Sequence, residues 1–187
     1  MNDEPDVLPS EEHWGDAAGM RGPRVVVAVD GSAGSEAALR FAMEDAARRG
    51  VPVEAVIAYR PPDYWTDLAI MGPDDLDKMR ARLRSEVEGK VKAQVDTVTA
   101  ALPAPAPQVT VLALHGGAAE VLVRESHGAD LLVVGSSGHG GFSSALLGST
   151  SLQCALHATC PVTVVHSPEA HRHRLHLRRR HEAATVG

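Results

Sequence analysis

The chain's 187 residues are 44% hydrophobic, 22% charged and only 3% aromatic, with a formal net charge of −6. That length suits one domain with a core of its own, and no apolar run approaches the ~20 residues of a membrane helix. An acidic N-terminus without an apolar stretch is not a secretory signal, two cysteines (Cys154 and Cys160) make neither a disulfide framework nor a four-ligand zinc pattern, and an acidic, aromatic-poor composition argues against a nucleic-acid module.

Residues 1–23 are acidic, with Asp3, Glu4, Asp6, Glu11, Glu12 and Asp16 early in the chain. They read as a flexible tail ahead of a domain spanning 24–167. Val25 to Val29 is a continuous β-branched run, as expected for a strand buried on both faces. Asp30-Gly31-Ser32 breaks it, and Ala38, Phe41, Ala42 and Ala46 then recur at helical spacing until Gly50, a fitting C-terminal stop. A second strand covers Val53 to Tyr59, followed by a loop holding Tyr64 and Trp65, which reads as a cover for the domain's edge or a lid. Over 74–101, Leu76, Met79, Leu83, Val87, Val91, Val95 and Val98 form one amphipathic stripe. A Pro/Ala linker leads to a third strand, Val109 to Leu114, and Ala118 to His127 is a short helix closed by Gly128. Leu131 to Val134 is strand four, a Gly/Ser loop runs to Gly148, residues 149–158 are helical, and Val162 to His166 is strand five. Residues 168–187 interleave His171, His173, His176 and His181 with five arginines and read as a second, solvated tail.

Strands separated by helices call for right-handed crossovers and a mainly parallel sheet covered on both faces, so the expected class is α/β, five-stranded and Rossmann-like. Ligands of such sheets sit beyond the strands' carboxyl ends, where the winding direction reverses. The loops after Val29 and after Val134 are therefore the places to look for chemistry. The second is the more informative: Gly135, two residues, Gly138, nine residues, then Gly148-Ser149. Glycines let backbone N–H groups approach an anion, and Ser149 and Thr150 open a helix whose N-terminal dipole favours phosphate. A Gly/Ser-rich stretch by itself reads more readily as a flexible loop with a serine cap, and its position after a buried strand and before a helix points to phosphate binding. The P-loop pattern, the Gly-x-Gly-x-x-Gly fingerprint and the Gly-x-Ser-x-Gly elbow are all absent.

With Gly135, Gly138, Gly148 and Ser149 at every fixed position of Gly-x2-Gly-x9-Gly-Ser/Thr, the chain resembles the ATP-binding universal stress proteins. Val29-Asp30-Gly31-Ser32 and Cys160-Pro161-Val162-Thr163-Val164-Val165 extend the resemblance over about residues 24–167. It implies a five-stranded parallel sheet with an ATP pocket between the first and fourth strands. Asp30 would hold adenosine through its carboxylate, with Ala28 and Val29 lining the same wall and Ala58 touching adenine. Gly135, Ser136, Gly138, His139 and Gly140 would wrap ribose and phosphates. Gly148, Ser149, Thr150 and Ser151 would supply donors to the triphosphate, with Mg²⁺ shared among its oxygens. The resemblance also implies a homodimer paired through the last strand and a regulatory protein of the stress response, and the sparse cysteines make a reducing cytoplasm the simplest location.

Each residue also has a plainer reading. Asp30 can cap the helix beginning near Ala33, His139 can be an ordinary loop histidine, and the cysteines can be small apolar residues. No catalytic residue and no protein-held metal site is expected. Hydrolysis needs a positioned water and a cation at the developing charge, which the glycine loop lacks. An ATP-binding regulator with little turnover is thus the leading expectation. A slow ATP hydrolase and a nucleotide-independent interaction module are the alternatives.

Overall fold

The computed structural model describes residues 22–60, 72–103, 105–136, 138 and 147–167. Residues 1–21 of the first tail, all of the second tail and the loop residues Tyr64 and Trp65 lie outside the described residues. Five strands form one parallel sheet: β1 (Val25–Ala28), β2 (Val53–Tyr59), β3 (Val109–His115), β4 (Leu131–Gly135) and β5 (Val162–Val165). Their order is β3-β2-β1-β4-β5, so the winding reverses between β1 and β4. Among the described residues four helices connect them: α1 (Ala33–Arg49), α2 (Pro73–Ala100), α3 (Ala118–Glu125) and α4 (Ser149–His157).

The two-sided burial read from Val25 to Val29 has a direct explanation in the pleat. Val25, Val27 and Val29 alternate into one core cluster with Ala38, Leu39, Ala42 and Met43 of α1 and Val91, Val95 and Val98 of α2. Val26 turns the other way, joining Val121 and Leu122 of α3 and Cys154 of α4. Each strand residue is thereby withdrawn from water on whichever face it points to, which is why the strand needs no polar alternation.

Helix α1 ends as its sequence demands, with Gly50 at φ 69° donating its N–H to the Ala46 and Ala47 carbonyls. At the other end the cap is Ser32, whose Oγ accepts from Ser35 N at 3.1 Å, and not Asp30. The α2 stripe divides. Val91, Val95 and Val98 are buried, whereas Met79, Leu83 and Val87 are only half-buried. The cause is length: 28 helical residues span about 42 Å, and a seven-residue strand about 23 Å. The sheet is too short to cover the helix.

Helix α3 stops at Glu125, two residues earlier than its pattern suggests. Buried Arg24, just before β1, collects the carbonyls exposed there: Glu125 O at 3.0 Å, His127 O at 3.2 Å and Gly128 O at 3.1 Å. Its Nε donates to Glu54 Oε2 at 2.8 Å, so the buried charge is paired and each of its three nitrogens donates a hydrogen bond. The sheet, helix α3 and the turn after it are locked together at the amino end of the strands. The carboxyl end is left for a site.

Candidate functional site

The loops following β1 and β4 meet beyond the strands' carboxyl ends, at the reversal of winding. Asp30 anchors the first. Its Oδ1 accepts from Ser32 N at 2.9 Å and from Ser32 Oγ at 2.6 Å, a turn made possible by Gly31 at φ 84°. The carboxylate is thus pinned by one oxygen. Its other oxygen lies so near Gly138 that a Cβ on that glycine would overlap it. Two of the residues singled out in the sequence, more than a hundred positions apart, are in direct apposition.

Gly135 is confined differently. A Cβ there would stand 2.8 Å from the Gly34 carbonyl carbon and 2.9 Å from its oxygen, so glycine is required for β4 to pass the first turn of α1. Ser136 closes the base of the loop. Its N–H donates to Val165 O at 2.7 Å, and its carbonyl accepts from Gly148 N at 2.8 Å. Gly148 then caps α4 at φ −66°, ψ 154° with no side-chain hydrogen bond. The first-turn N–H groups of α4 have no intrahelical partners, and exposed Ser149 and half-buried Thr150 flank them. Ser151 is buried, and its hydroxyl donates to Gly135 O at 2.6 Å. In this structure that proton ties α4 to β4, and it is not offered to a ligand. Val29 is buried among α1 and α2 residues, so it brings only backbone to the site, while half-buried Ala28 faces the other side of the sheet. His139 and Gly140 lie outside the described residues.

Ala58 stands two strands away from β4, at the wall of a cavity of about 550 Å³. Arg60, Gly116, Gly117, Ala118, Ala119 and Glu120 complete that wall. The Arg60 guanidinium lies 2.6 Å from where a Cβ of Gly117 would be, so a glycine cap on α3 leaves it space. Tyr59 and His115 meet nearby in a T-shaped pair, with ring centroids 6.0 Å apart. The sequence reading passed over Arg60 and the Gly116-Gly117 pair. Their signal was available: a cation directly after β2, and two glycines between a strand and a helix. Distance along the chain hid the fact that they share one cavity.

Burial pushes the Cys154 thiol up to about 11, and raises that of Cys160 as well. Both stay protonated near neutrality, as packing residues do. Among the described residues no group of three His, Cys, Asp or Glu could hold a metal ion. No helix among them is long and apolar enough to cross a membrane.

The model of the universal stress protein family matches residues 23–166. Universal stress protein Rv2624c of Mycobacterium tuberculosis is 32% identical over 146 residues, covering 76% of this chain and 48% of the relative. Universal stress protein Rv2005c of the same organism is 33% identical over 152 residues, covering 78% and 48%. The chain thus spans about half the length of the curated relatives it matches. Among solved structures, a universal stress protein in complex with cAMP is 25% identical with a TM-score of 0.56, covering 78% of this chain and 98% of that one. UspA from Lactobacillus plantarum shares the fold at 22% identity and a TM-score of 0.60, covering 78% and 98%.

Proposed function

The chain belongs to the universal stress protein family, and from that premise we propose that it is a cytoplasmic regulatory protein that binds ATP with Mg²⁺ and turns it over little. The observation that carries this reading is the apposition of Asp30 and Gly138 at the reversal of winding, together with a start of α4 whose glycine cap makes no side-chain hydrogen bond. The likeness to a universal stress protein in complex with cAMP supports a nucleotide as the ligand class.

Asp30 accepts hydrogen bonds from the ribose hydroxyls, its orientation held by Ser32. The amides of Ser149 and Thr150, with their hydroxyls, receive the phosphates, whose charge the dipole of α4 favours. Ala58 lies about 10 Å from β4, two strand spacings away, so base and phosphates have separate walls at one sheet end. The donor set fits the ligand: one oriented carboxylate for the sugar, and N–H and hydroxyl groups for phosphate. Phosphate oxygens with the Ser149 or Thr150 hydroxyl would hold Mg²⁺, which supplies charge neutralisation when bound. Gly135 and Ser151 act behind this surface by fixing β4 to α1 and α4. His139 and Gly140 complete the loop around the ligand in this reading.

The domain covers 24–167, flanked by the acidic tail 1–23 and the His/Arg-rich tail 168–187, which the family match over 23–166 supports. Two copies pair through β5, an edge of the sheet, and the bound nucleotide stabilises that dimer or a surface read by a protein partner. The test is to denature freshly purified protein, chromatograph the released nucleotide, and repeat with Gly148→Trp. The backbone angles at Gly148 suit any residue, so the substitution needs no strained backbone conformation. Near-stoichiometric ATP from the wild type and none from the variant is the expected result. Recovery of ADP instead favours slow hydrolysis. No nucleotide, and no binding when ATP and Mg²⁺ are added, refutes the reading.

A further inference from the structure

Two charged side chains stand on the wall of the cavity beyond β2 and β3: Arg60, directly after β2, and Glu120, in the first turn of α3. Both are exposed. Arg60 Nη2 lies 2.6 Å and Glu120 Oε2 lies 3.6 Å from the point where a Cβ on Gly117 would be. The two charges thus flank one glycine on the same side. Among the described residues neither takes part in an ion pair or a hydrogen bond. The backbone beneath them is fixed. Gly116 N donates to Tyr59 O at 3.1 Å, which sets the end of β2 level with the end of β3. The Gly117 carbonyl accepts from Val121 N at 2.9 Å, which starts α3 at this point. An exposed Arg–Glu pair contributes little to stability even when closed, so a ligand that satisfies both charges displaces nothing of value.

The arrangement asks for a ligand edge with an acceptor next to a donor. A guanidinium only donates and an ionised carboxylate only accepts. The half-buried Ala58 methyl group on the same wall adds a small apolar surface suited to the face of a planar ring. Adenine carries N7, an acceptor, beside its 6-amino group, a donor. Along the same edge guanine carries two acceptors, N7 and O6, which would set O6 against the Glu120 carboxylate. With the sugar at Asp30 and the phosphates at α4, the ring cannot turn freely to offer a different edge. We propose that Arg60 and Glu120 read the base, Arg60 donating to N7 and Glu120 accepting from the 6-amino group, and that this pair selects adenine over 6-oxopurines. This rests on the ATP reading above and adds to it the residues that choose the base. Neither side chain is needed for the phosphates, so the choice of base is separate from the recognition of the triphosphate.

Titration calorimetry on the dialysed full chain with ATP, ITP and GTP, each with Mg²⁺, tests this on the wild type, Glu120→Gln and Arg60→Met. ITP differs from ATP at the base alone, by an oxygen in place of the 6-amino group. Because both side chains are exposed, the variants should keep the wild-type melting temperature. The wild type should bind ATP at least about tenfold more tightly than ITP or GTP. Glu120→Gln, whose amide both donates and accepts, should bring ATP and ITP within about threefold of each other. Arg60→Met keeps the length of the side chain without its donors. It should weaken ATP and ITP alike by about tenfold, since N7 is common to both. A purely structural role for Glu120 would lower all three affinities together and leave their ratios unchanged. A wild type that binds ATP and ITP equally, or a Glu120→Gln that keeps the full preference, overturns this inference while the ATP reading stands. Unchanged affinities in Arg60→Met remove Arg60 from the pair. A wild type that prefers GTP, or that binds none of the three, overturns the ATP reading itself.

Discussion

Replacing Gly135 or Gly138 by alanine is the same chemical change within one sequence motif, and the structure gives the two substitutions opposite consequences. At Gly135 the new Cβ would stand 2.8 Å and 2.9 Å from the Gly34 carbonyl carbon and oxygen, and 3.3 Å from Ser35 N. All are backbone atoms in the first turn of α1, so relief requires moving the helix off β4. Overpacking of this kind costs about 1–3 kcal/mol, offset by up to about 1 kcal/mol of unfolded-state entropy. For a chain of this size each net kcal/mol lowers Tm by about 2–4 °C, so the fall reaches up to about 12 °C. At Gly138 the Cβ meets the end of the Asp30 side chain, which can swing aside by giving up its bonds to Ser32. Those bonds are exposed, so stability should fall by about 1 kcal/mol or less. ATP affinity should instead fall about tenfold or more, because a carboxylate hydrogen bond contributes about 1.5–3 kcal/mol. Thermal melts by circular dichroism and titration calorimetry with ATP and Mg²⁺ separate the two. The reasoning is refuted if Gly135→Ala melts with the wild type, or if Gly138→Ala binds ATP unchanged.

Arg24→Met should lower the unfolding free energy by about 3–5 kcal/mol, read from urea midpoints, because Glu54 and three carbonyls lose their buried partner. Val91→Ala should destabilise by about 1–3 kcal/mol by removing buried methyl groups, and Val87→Ala by less than half as much, since its side chain is only half-buried. The Cys154 thiol, raised by burial to about 11 from an ordinary 9.0, stays protonated in the folded chain over a range where the unfolded chain ionises. The unfolded state then binds fewer protons, so this contribution is full below about pH 9 and is lost as pH climbs towards 11. Urea midpoints of Cys154→Ala should lack that alkaline decline, and an unchanged slope would contradict the assignment.

Local chemistry explains why so much of the scaffold is legible without coordinates. Val25, Val26 and Val27 declare a strand buried on both faces, Gly50 a left-handed helix stop, and the strand-helix alternation a parallel sheet. The spacing of Gly135, Gly138, Gly148 and Ser149 likewise marks the loop at the reversal of winding, because the loop belongs to one continuous stretch of chain. Other outcomes depend on what lies across from a residue. The α2 stripe has one pattern and two fates, since only the length of the strands beneath it decides how much is covered. Gly135 and Gly138 are equivalent in the motif, yet one is confined by the backbone of α1 and the other by a carboxylate. Arg60 and Gly117 become neighbours only when β2 and β3 align in register, Tyr59 beside His115. Hydrophobic period and turn chemistry act over a few residues and are written into the chain. Steric contact and cavity walls join residues tens of positions apart, and folding alone brings these together.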